Sequence, residues 1–175
     1  MNYEEKQLTS ECVYDGKIMT VQRDEVELAT GRKSFREVVR HSGGVVILAL
    51  KDNDTILMVK QFRYPIAQTV LEVPAGKLEK GENPDDAAKR ELEEETGYKA
   101  GKWTPLGYIN TSPGFCDEKL YLYKAENLTF AGAHPDEGEI ISAIEMKIPD
   151  VNEKIRTGEI NDAKTLCIIL RGLNL

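Results

Sequence analysis

Residues 76–98 read GKLEKGENPDDAAKRELEEETGY, and this stretch predicts one short helix with well-marked ends. Asn83 is a good N-cap residue, and Pro84 suits the first helical position because a proline there leaves no N–H group unpaired. The two aspartates that follow place negative charge at the positive end of the helix dipole. Gly97 suits the left-handed residue that commonly follows a helix. We therefore predict a helix that begins at Pro84 and ends before Gly97.

Three glutamates share one face of this helix. Glu91, Glu94 and Glu95 are spaced at i, i+3 and i+4, so their side chains rise together. Ala88 and Leu92 occupy another face, which we assign to the core. Like charges this close disfavour a helix by roughly 0.2–0.5 kcal/mol per pair, whereas a hard divalent cation would reverse the sign. The alternative is a solvated acidic helix, because runs of charge usually face water.

The residues around these glutamates resemble the Nudix box, which is the signature of the Nudix hydrolases. In order along the chain, the pattern consists of Gly76, a spacer of five residues, Glu82, a spacer of seven residues, Arg90-Glu91, an apolar residue, any residue, Glu94-Glu95, any residue and Gly97. Tyr98 stands where the box usually has an aliphatic residue, and we expect its ring to fill the same core position. So many fixed separations are much more specific than a short glycine motif. A P-loop is excluded, because no Lys-Ser or Lys-Thr follows Gly81.

Length, composition and cysteine usage are typical of a cytoplasmic enzyme. A chain of 175 residues favours one domain, which can bury about 70% of its unfolded surface. The net charge of −7 gives no indication of a nucleic-acid or membrane surface. The three cysteines are widely spaced and without a CxxC motif, so we expect free thiols in a reducing cytoplasm. The sequence shows neither a signal-peptide core nor an apolar run long enough to span a membrane.

The N-terminal part of the chain is predicted to be a separate β region. Residues 8–40 alternate in the manner of strands, with a turn at Thr30-Gly31, and predict a small antiparallel sheet. This sheet has few large apolar residues, so it must pack on the main domain or on a second copy of the chain. We therefore expect residues 1–41 to form a dimerising β region and residues 42–175 to form the catalytic domain.

Strands and helices alternate through the remainder of the chain. Val45–Leu50 and Thr55–Val59 predict a hairpin, and the first strand is apolar throughout, which implies that both its faces are covered by helices. Further strands are predicted over 102–110, 118–125 and 140–148, and a short helix over 150–157. Asp162 caps a final helix. Its predicted core residues are Leu166, Ile169, Leu170 and Leu173.

The resemblance implies an α+β fold, in which an α/β/α sandwich with a mixed sheet follows the small N-terminal antiparallel sheet. It also implies that Glu91, Glu95 and the Ala75 carbonyl hold a divalent metal, either Mg²⁺ or Mn²⁺. Glu94 would be a further ligand or a support. Arg90 would orient the glutamates by charge-assisted hydrogen bonds, and Glu82 would support them. Such metal ions neutralise a diphosphate and acidify an attacking water.

Three further features resemble the ADP-ribose pyrophosphatases. They are Gln61-Phe-Arg63 with Glu72-Val-Pro-Ala-Gly76, Ser112-Pro113-Gly114, and Asp162-Ala-Lys-Thr165. In that subfamily a proline at the position of Pro113 marks ADP-ribose specificity, and an acidic loop supplies the general base. The corresponding bases are Glu137 and Glu139, of which Glu139 is preferred. The resemblance implies hydrolysis of ADP-ribose to AMP and ribose 5-phosphate.

The same resemblance implies a set of substrate-binding residues. Arg63 would contact the phosphates or the terminal ribose, and Glu72 and Gly114 would line the pocket. Relatives are homodimers that exchange N-terminal strands, so Arg36 would reach a neighbouring active site. The alternative for both arginines is a surface charge on a strand.

Other functions stay open from the sequence. The nearest alternative is another Nudix activity, on an ADP-sugar, a nucleotide sugar, NADH or FAD. A non-catalytic nucleotide sensor is a hypothesis of a different class. The intact glutamates argue against the sensor, because a sensor has no need of a metal cluster.

Overall fold

The computed structural model describes residues 3–132 and 140–173, which fall into two compact units. Unit 1 contains Met1–Gly43 and Asn110–Lys119, and unit 2 contains Gly44–Ile109 and Leu120–Leu175. The strands are β1 (Lys6–Asp15), β2 (Met19–Glu27), β3 (Lys33–His41), β4 (Gly44–Ala49), β5 (Thr55–Arg63), β6 (Gln68–Glu72), β7 (Ala75–Lys77), β8 (Tyr98–Asn110), β9 (Lys119–Phe130) and β10 (Ile141–Lys147). The α-helices are α1 (Pro84–Thr96), α2 (Ile148–Arg156) and α3 (Ala163–Gly172).

Unit 1 is built on a three-stranded antiparallel sheet in the order β1-β2-β3. The turn between β2 and β3 contains Gly31 at φ 79°, a left-handed conformation that glycine adopts without strain. Val26 is buried in this sheet, whereas Phe35 is more than half exposed and lies under the guanidinium of Arg23 at 4.3 Å. The predicted small antiparallel sheet is therefore confirmed.

Unit 2 contains two sheets. One has the order β7-β4-β9-β8, and within it β4 runs parallel to β9 but antiparallel to β7, so the sheet is mixed. The other has the order β10-β5-β6 and is antiparallel. The predicted α+β fold with a mixed sheet is confirmed.

Strand β4 is buried on both faces, as its apolar composition predicted. Val46 and Leu48 join a core cluster that includes Ile168 of α3, together with residues of α2. Val45 and Ile47 join a second cluster, which contains the apolar face of α1. Alternate residues of one strand therefore pack against helices on opposite sides, because successive side chains of a strand point to opposite faces.

Two predictions about packing are wrong. Leu50, which follows β4, forms one antiparallel bridge with Ile56 of β5, but the two strands do not pair as a hairpin. Each belongs to a different sheet, because β4 is paired on its two edges by β7 and β9, and β5 is paired by β6 and β10. Leu170 was predicted to lie in the core, yet it is 59% exposed, because the buried face of α3 carries Ile168 and Ile169 instead.

The helices and the thiols add two further observations. Within residues 3–132 and 140–173, none of the helices combines the length and the apolar composition that crossing a membrane requires. The cysteines Cys12, Cys116 and Cys167 are free thiols, as their spacing predicted.

Candidate active site

Helix α1 has the ends that its sequence predicted. The side chain of Asn83 accepts a hydrogen bond from the Asp85 amide at 2.9 Å, and Gly97 has φ 76° at the C-terminal end. Asp85 also accepts a hydrogen bond from the Tyr123 hydroxyl at 2.6 Å. Burial, together with that hydrogen bond, raises the pKa of Tyr123. These contacts fix the position of the first turn of α1.

The two faces of α1 are separated as predicted. Ala88 and Leu92 are fully buried in the core cluster on that side of β4. Tyr98, the departure from the usual box, is partly buried against the same cluster and makes an edge-to-face contact with Phe130 at 5.2 Å. The aromatic ring therefore fills a core position, and the opposite face of α1 is left to carry the glutamates.

Arg90 lies at the centre of three carboxylates. Its Nη1 donates to Glu91 Oε1 and to Glu94 Oε2, each at 2.8 Å, and its Nε donates to Glu82 Oε1 at 3.0 Å. The hydrogen bond to Glu82 is the main reason why the pKa of Arg90 is raised, and it lowers the pKa of Glu82 in turn. One guanidinium thus holds the orientation of three acidic side chains.

The carboxylate of Glu91 occupies space that only a glycine leaves available. A Cβ atom placed on Gly76 would lie 1.8 Å from Glu91 Cδ and 2.0 to 2.1 Å from its two oxygens. The Glu91 side chain therefore rests against the backbone of β7, where any side chain at position 76 would displace it. Sequence reasoning placed Gly76 in the box but did not predict this contact.

Glu95 contacts the same short segment of backbone. Its side chain is buried, and Oε2 accepts a hydrogen bond from the Ala75 amide at 2.9 Å. Ala75 is itself paired with Val46 across β4 and β7. Glu91 and Glu95, which were predicted as metal ligands, consequently both contact the backbone of Ala75 and Gly76, the segment that was predicted to contribute the Ala75 carbonyl oxygen.

The acidic side chains suit a hard divalent cation in their chemistry. Within the described residues, no three His, Cys, Asp or Glu side chains are already gathered at metal-binding spacing. The donors are nevertheless carboxylates and a peptide carbonyl, which are the ligands that Mg²⁺ and Mn²⁺ take. Each carboxylate has about four lone-pair sites, so hydrogen bonds to Arg90 and to Ala75 do not use up its capacity. Three carboxylates around one guanidinium also carry an excess of negative charge, which a cation would balance.

A second cluster of charges lies at the end of β5. Arg63 donates from Nε to Glu72 Oε1 at 2.8 Å, and Glu72 is only 1% exposed. Burial acts to lower the pKa of Arg63, but the hydrogen bond and the charge of Glu72 outweigh it, so the pKa is raised. The charge of Glu95 acts in the same direction, which connects this cluster to α1. Arg63 is therefore bound to a buried carboxylate and is not an isolated surface charge.

Lys164 is a residue of this second cluster that sequence reasoning did not single out. Its ammonium group donates to Glu72 Oε2 and lies 3.0 Å from Asp162 Oδ2. The sequence contained a signal, because Lys164 belongs to the Asp162-Ala-Lys-Thr165 motif, but the motif alone does not say which residue the lysine contacts.

The remaining predicted residues lie elsewhere. Arg36 belongs to unit 1, where its Nε donates to Glu5 Oε2 at 2.9 Å. Gly114 also belongs to unit 1 and lies in a turn in which the Ser112 carbonyl accepts a hydrogen bond from the Cys116 amide at 2.9 Å. The predicted bases Glu137 and Glu139 lie outside the described residues. The predicted residues that unit 2 brings together are Arg63, Glu72, Ala75, Arg90, Glu91, Glu94 and Glu95.

Comparison with known proteins gives matches along almost the whole chain. A model of the NUDIX domain matches residues 40–167, and a model of the nucleoside diphosphate sugar hydrolase N-terminal domain matches residues 5–39. The chain is 44% identical over 164 residues to a protein of Bacillus subtilis (strain 168) named ADP-ribose pyrophosphatase, covering 93% of this chain and 89% of that protein. It is 41% identical over 169 residues to the methanol dehydrogenase activator of Bacillus methanolicus, covering 95% and 91%.

A solved structure supports the same fold. The crystal structure of an ADP compounds hydrolase superposes with a TM-score of 0.86 at 20% sequence identity, covering 98% of this chain and 93% of that one. At this low sequence identity, the structural similarity shows only that the two proteins share a fold. The match to the NUDIX domain, however, extends over most of the chain and includes every residue of the box on α1. This chain is therefore a member of the Nudix hydrolase family.

Proposed function

We propose that this chain hydrolyses the diphosphate bridge of ADP-ribose and releases AMP and ribose 5-phosphate. The observation that carries the proposal is the placement of Glu91 and Glu95 together at the backbone of Ala75 and Gly76, on the segment that begins with Glu72, the partner of the Arg63 guanidinium. Carboxylates for a metal and a cation for a phosphate are the two requirements of such a substrate. The 44% identity to the ADP-ribose pyrophosphatase of Bacillus subtilis supports the choice of ADP-ribose.

We assign the metal site to Glu91, Glu95 and the carbonyl oxygen of Ala75, with Glu94 as a further ligand or a support. When bound there, Mg²⁺, or Mn²⁺ in its place, neutralises the charge of the diphosphate and lowers the pKa of a water molecule. Arg90 keeps Glu91 and Glu94 in place through its hydrogen bonds. Because the hydrogen bonds to Arg90 restrict Glu91 and Glu94, these side chains have less conformational freedom to lose when a metal binds.

The remaining groups act on the substrate and on the proton. The water oxygen forms a bond to one phosphorus while the bond from that phosphorus to the bridging oxygen breaks, so that two phosphate monoesters leave. The proton of the water passes to Glu139, with Glu137 as the alternative base. Arg63 holds a phosphate or the terminal ribose, and Glu72 fixes the direction in which Arg63 points.

On the strength of the subfamily resemblance alone, we assign Gly114 to substrate binding and Arg36 to the active site of a second copy of the chain in a homodimer. The exposed apolar side chains of unit 1 support such an interface, since exposed apolar patches often mark protein interaction sites. The free cysteines support a location in the cytoplasm.

A nucleotide sugar is the second candidate substrate. Its support is the match of residues 5–39 to the N-terminal domain of nucleoside diphosphate sugar hydrolases. Another ADP-sugar, NADH and FAD present the same diphosphate bridge, so they belong in the same comparison.

A substrate panel tests the proposal. Purified protein is incubated with Mg²⁺ and each of ADP-ribose, GDP-mannose, ADP-glucose, NADH and FAD, and the products are identified by mass spectrometry. We expect the highest kcat/KM for ADP-ribose, with AMP and ribose 5-phosphate in equal amounts and complete loss of activity in EDTA. A higher kcat/KM for any competitor would overturn the choice of substrate, and full activity in EDTA would overturn the metal assignment.

A further inference from the structure

Four charged side chains of alternating sign connect the end of β5 to the start of α3, and we refer to them as the charge chain. Arg63 contacts Glu72, Glu72 contacts Lys164, and Lys164 contacts Asp162. Glu72 and Lys164 are shielded from solvent, with side-chain exposures of 1% and 14%. Arg63, at the outer end, is 39% exposed and can reach a ligand.

The backbone positions Lys164 beside Glu72. Asp162 caps α3 by accepting a hydrogen bond from the Thr165 amide at 3.0 Å, and it accepts another from the Thr165 hydroxyl at 2.7 Å. The same hydroxyl oxygen accepts a hydrogen bond from the amide of Val73 at 3.1 Å. The first turn of α3 is thereby attached to the residue that follows Glu72, so the lysine has little freedom to leave the carboxylate.

The two oxygens of Glu72 have different partners. Both Nε and Nη2 of Arg63 lie 2.8 Å from Oε1, whereas Oε2 accepts from Lys164. An arginine side chain has five N–H donors in a planar arrangement, and a carboxylate that uses both oxygens can hold an arginine by two parallel hydrogen bonds. Because Lys164 occupies Oε2, Arg63 is confined to a single oxygen, and its remaining donors are available to a second anion.

We propose that Lys164 is a positioning residue for substrate binding: it occupies one oxygen of Glu72 and so keeps the outer donors of Arg63 directed toward a phosphate of the substrate. This inference rests on the proposed function, in which Arg63 binds the substrate. The described contacts of the Lys164 ammonium group are with Glu72 and Asp162. It acts through Glu72.

Removal of the lysine charge has two consequences for Arg63. Oε2 of Glu72 loses its cation and turns toward the guanidinium, which then pairs with both oxygens. In addition, Glu72 and Asp162 together outweigh the single charge of Arg63, so the charge chain changes from neutral to negative beside an anionic substrate. Both effects weaken substrate binding.

The test compares Lys164→Met with Lys164→Arg. For Lys164→Met we expect KM for the best substrate of the panel to rise about 10-fold, while kcat stays within about 2-fold of the wild type. Lys164→Arg keeps the charge and is expected to restore KM to within about 3-fold of the wild type. Lys154→Met is the matched control, because Lys154 of α2 forms an exposed ion pair with Glu159, and neither residue belongs to the charge chain. It is expected to leave both constants unchanged.

A double-mutant cycle separates action through Glu72 from a general effect on the fold. In the Glu72→Gln background the buried negative charge is absent and only the change in net charge remains, so Lys164→Met should raise KM by less than it does in the wild type. An equal increase of KM in both backgrounds, or an unchanged KM in the single variant, would overturn the inference. The melting temperature of each variant shows whether the compared proteins are folded. If Lys164→Met does not fold, KM of Lys164→Arg is compared between the wild-type and Glu72→Gln backgrounds instead.

A spectroscopic measurement makes the inference independent of the substrate. The Arg63 Nε–H resonance, assigned by its absence in Arg63→Lys, reports the hydrogen bond to Glu72. We expect Lys164→Met to shift this resonance and Lys154→Met to leave it in place. An unshifted resonance refutes the role of Lys164 whatever the enzyme cleaves, whereas failure of the wild type to prefer ADP-ribose refutes only the proposed function.

Discussion

Replacement of Gly76 by alanine places a methyl group within the carboxylate of Glu91. The new Cβ would lie 1.8 Å from Glu91 Cδ, whereas ordinary contact begins at 3.4 Å, so the carboxyl carbon must move by about 1.6 Å. Misplacement of a catalytic group by about 1 Å can lower a rate about 10²-fold. We therefore expect Gly76→Ala to reduce kcat at least about 10²-fold, and to raise the Mg²⁺ concentration that gives half of the maximal rate.

The same substitution should have little effect on the fold. Gly76 is not among the residues with positive φ, so an alanine backbone is unstrained there. The atoms that must move belong to the end of a flexible side chain and not to the backbone. We expect the melting temperature to change by no more than about 4 °C, which corresponds to about 1 kcal/mol for a domain of this size.

The assay follows AMP release by chromatography at increasing Mg²⁺ concentrations, with circular dichroism to monitor folding. Gly101→Ala is the matched control. Gly101 lies on strand β8, and a Cβ atom added there would come no closer than 3.3 Å to its nearest neighbour, Asn127 Cβ. The control should keep the wild-type rate. A folded Gly76→Ala protein with wild-type kcat and unchanged Mg²⁺ requirement would refute the assignment of Glu91 as a ligand held by this contact.

Three further predictions concern single acidic residues. Glu95→Gln should lower kcat by at least about 10²-fold while the circular dichroism spectrum is unchanged, since an amide is a poorer ligand for a hard cation; wild-type kcat at saturating Mg²⁺ would contradict the ligand role. Glu139→Gln should lower kcat by about 10²-fold or more and remove the acidic limb of the pH–rate profile. A wild-type kcat in Glu139→Gln, together with a reduced kcat in Glu137→Gln, would assign the general base to Glu137 instead. Asp162→Asn should lower the melting temperature at pH 7. Burial acts to raise the pKa of Asp162, but the charge of Lys164 and the hydrogen bonds from Thr165 outweigh it, and the folded pKa is lowered below 3.8. The ionised carboxylate therefore stabilises the fold above pH 3.8, and this contribution is lost as the pH falls through the folded pKa, so the two melting temperatures should converge in acid. A difference in melting temperature that does not decrease as the pH is lowered would contradict the assignment.

Helix α1 was predictable because its signals are local. The cap at Asn83, the glycine at position 97 and the separation of Ala88 from the glutamates all depend on residues within a few positions of one another. The same holds for β4, whose uniformly apolar sequence already required cover on both faces. Local rules suffice wherever the partners of a residue lie on its own element.

The predictions that were wrong or absent depend on contacts between distant elements. Leu170 has the helical spacing of a core residue, but the rotation of α3 against its neighbours, which spacing does not determine, turns it outward. The contact of Glu91 with Gly76 and the contact of Lys164 with Glu72 join residues of different elements. A single sequence contains the side chains of such pairs but not their proximity.

The short backbone segment from Glu72 to Gly76 connects the two parts of the candidate site. At one end Lys164 and Arg63 bind the Glu72 carboxylate, and the Val73 amide is attached to α3. At the other end the Ala75 amide binds Glu95, and Gly76 receives the carboxylate of Glu91. Consecutive Cα atoms are about 3.8 Å apart, so five residues cannot separate the two ends by more than about 15 Å. This segment therefore limits the distance between Arg63, which is the proposed phosphate-binding cation, and the proposed metal-binding carboxylates. Contacts with both α1 and α3 fix the position of the segment.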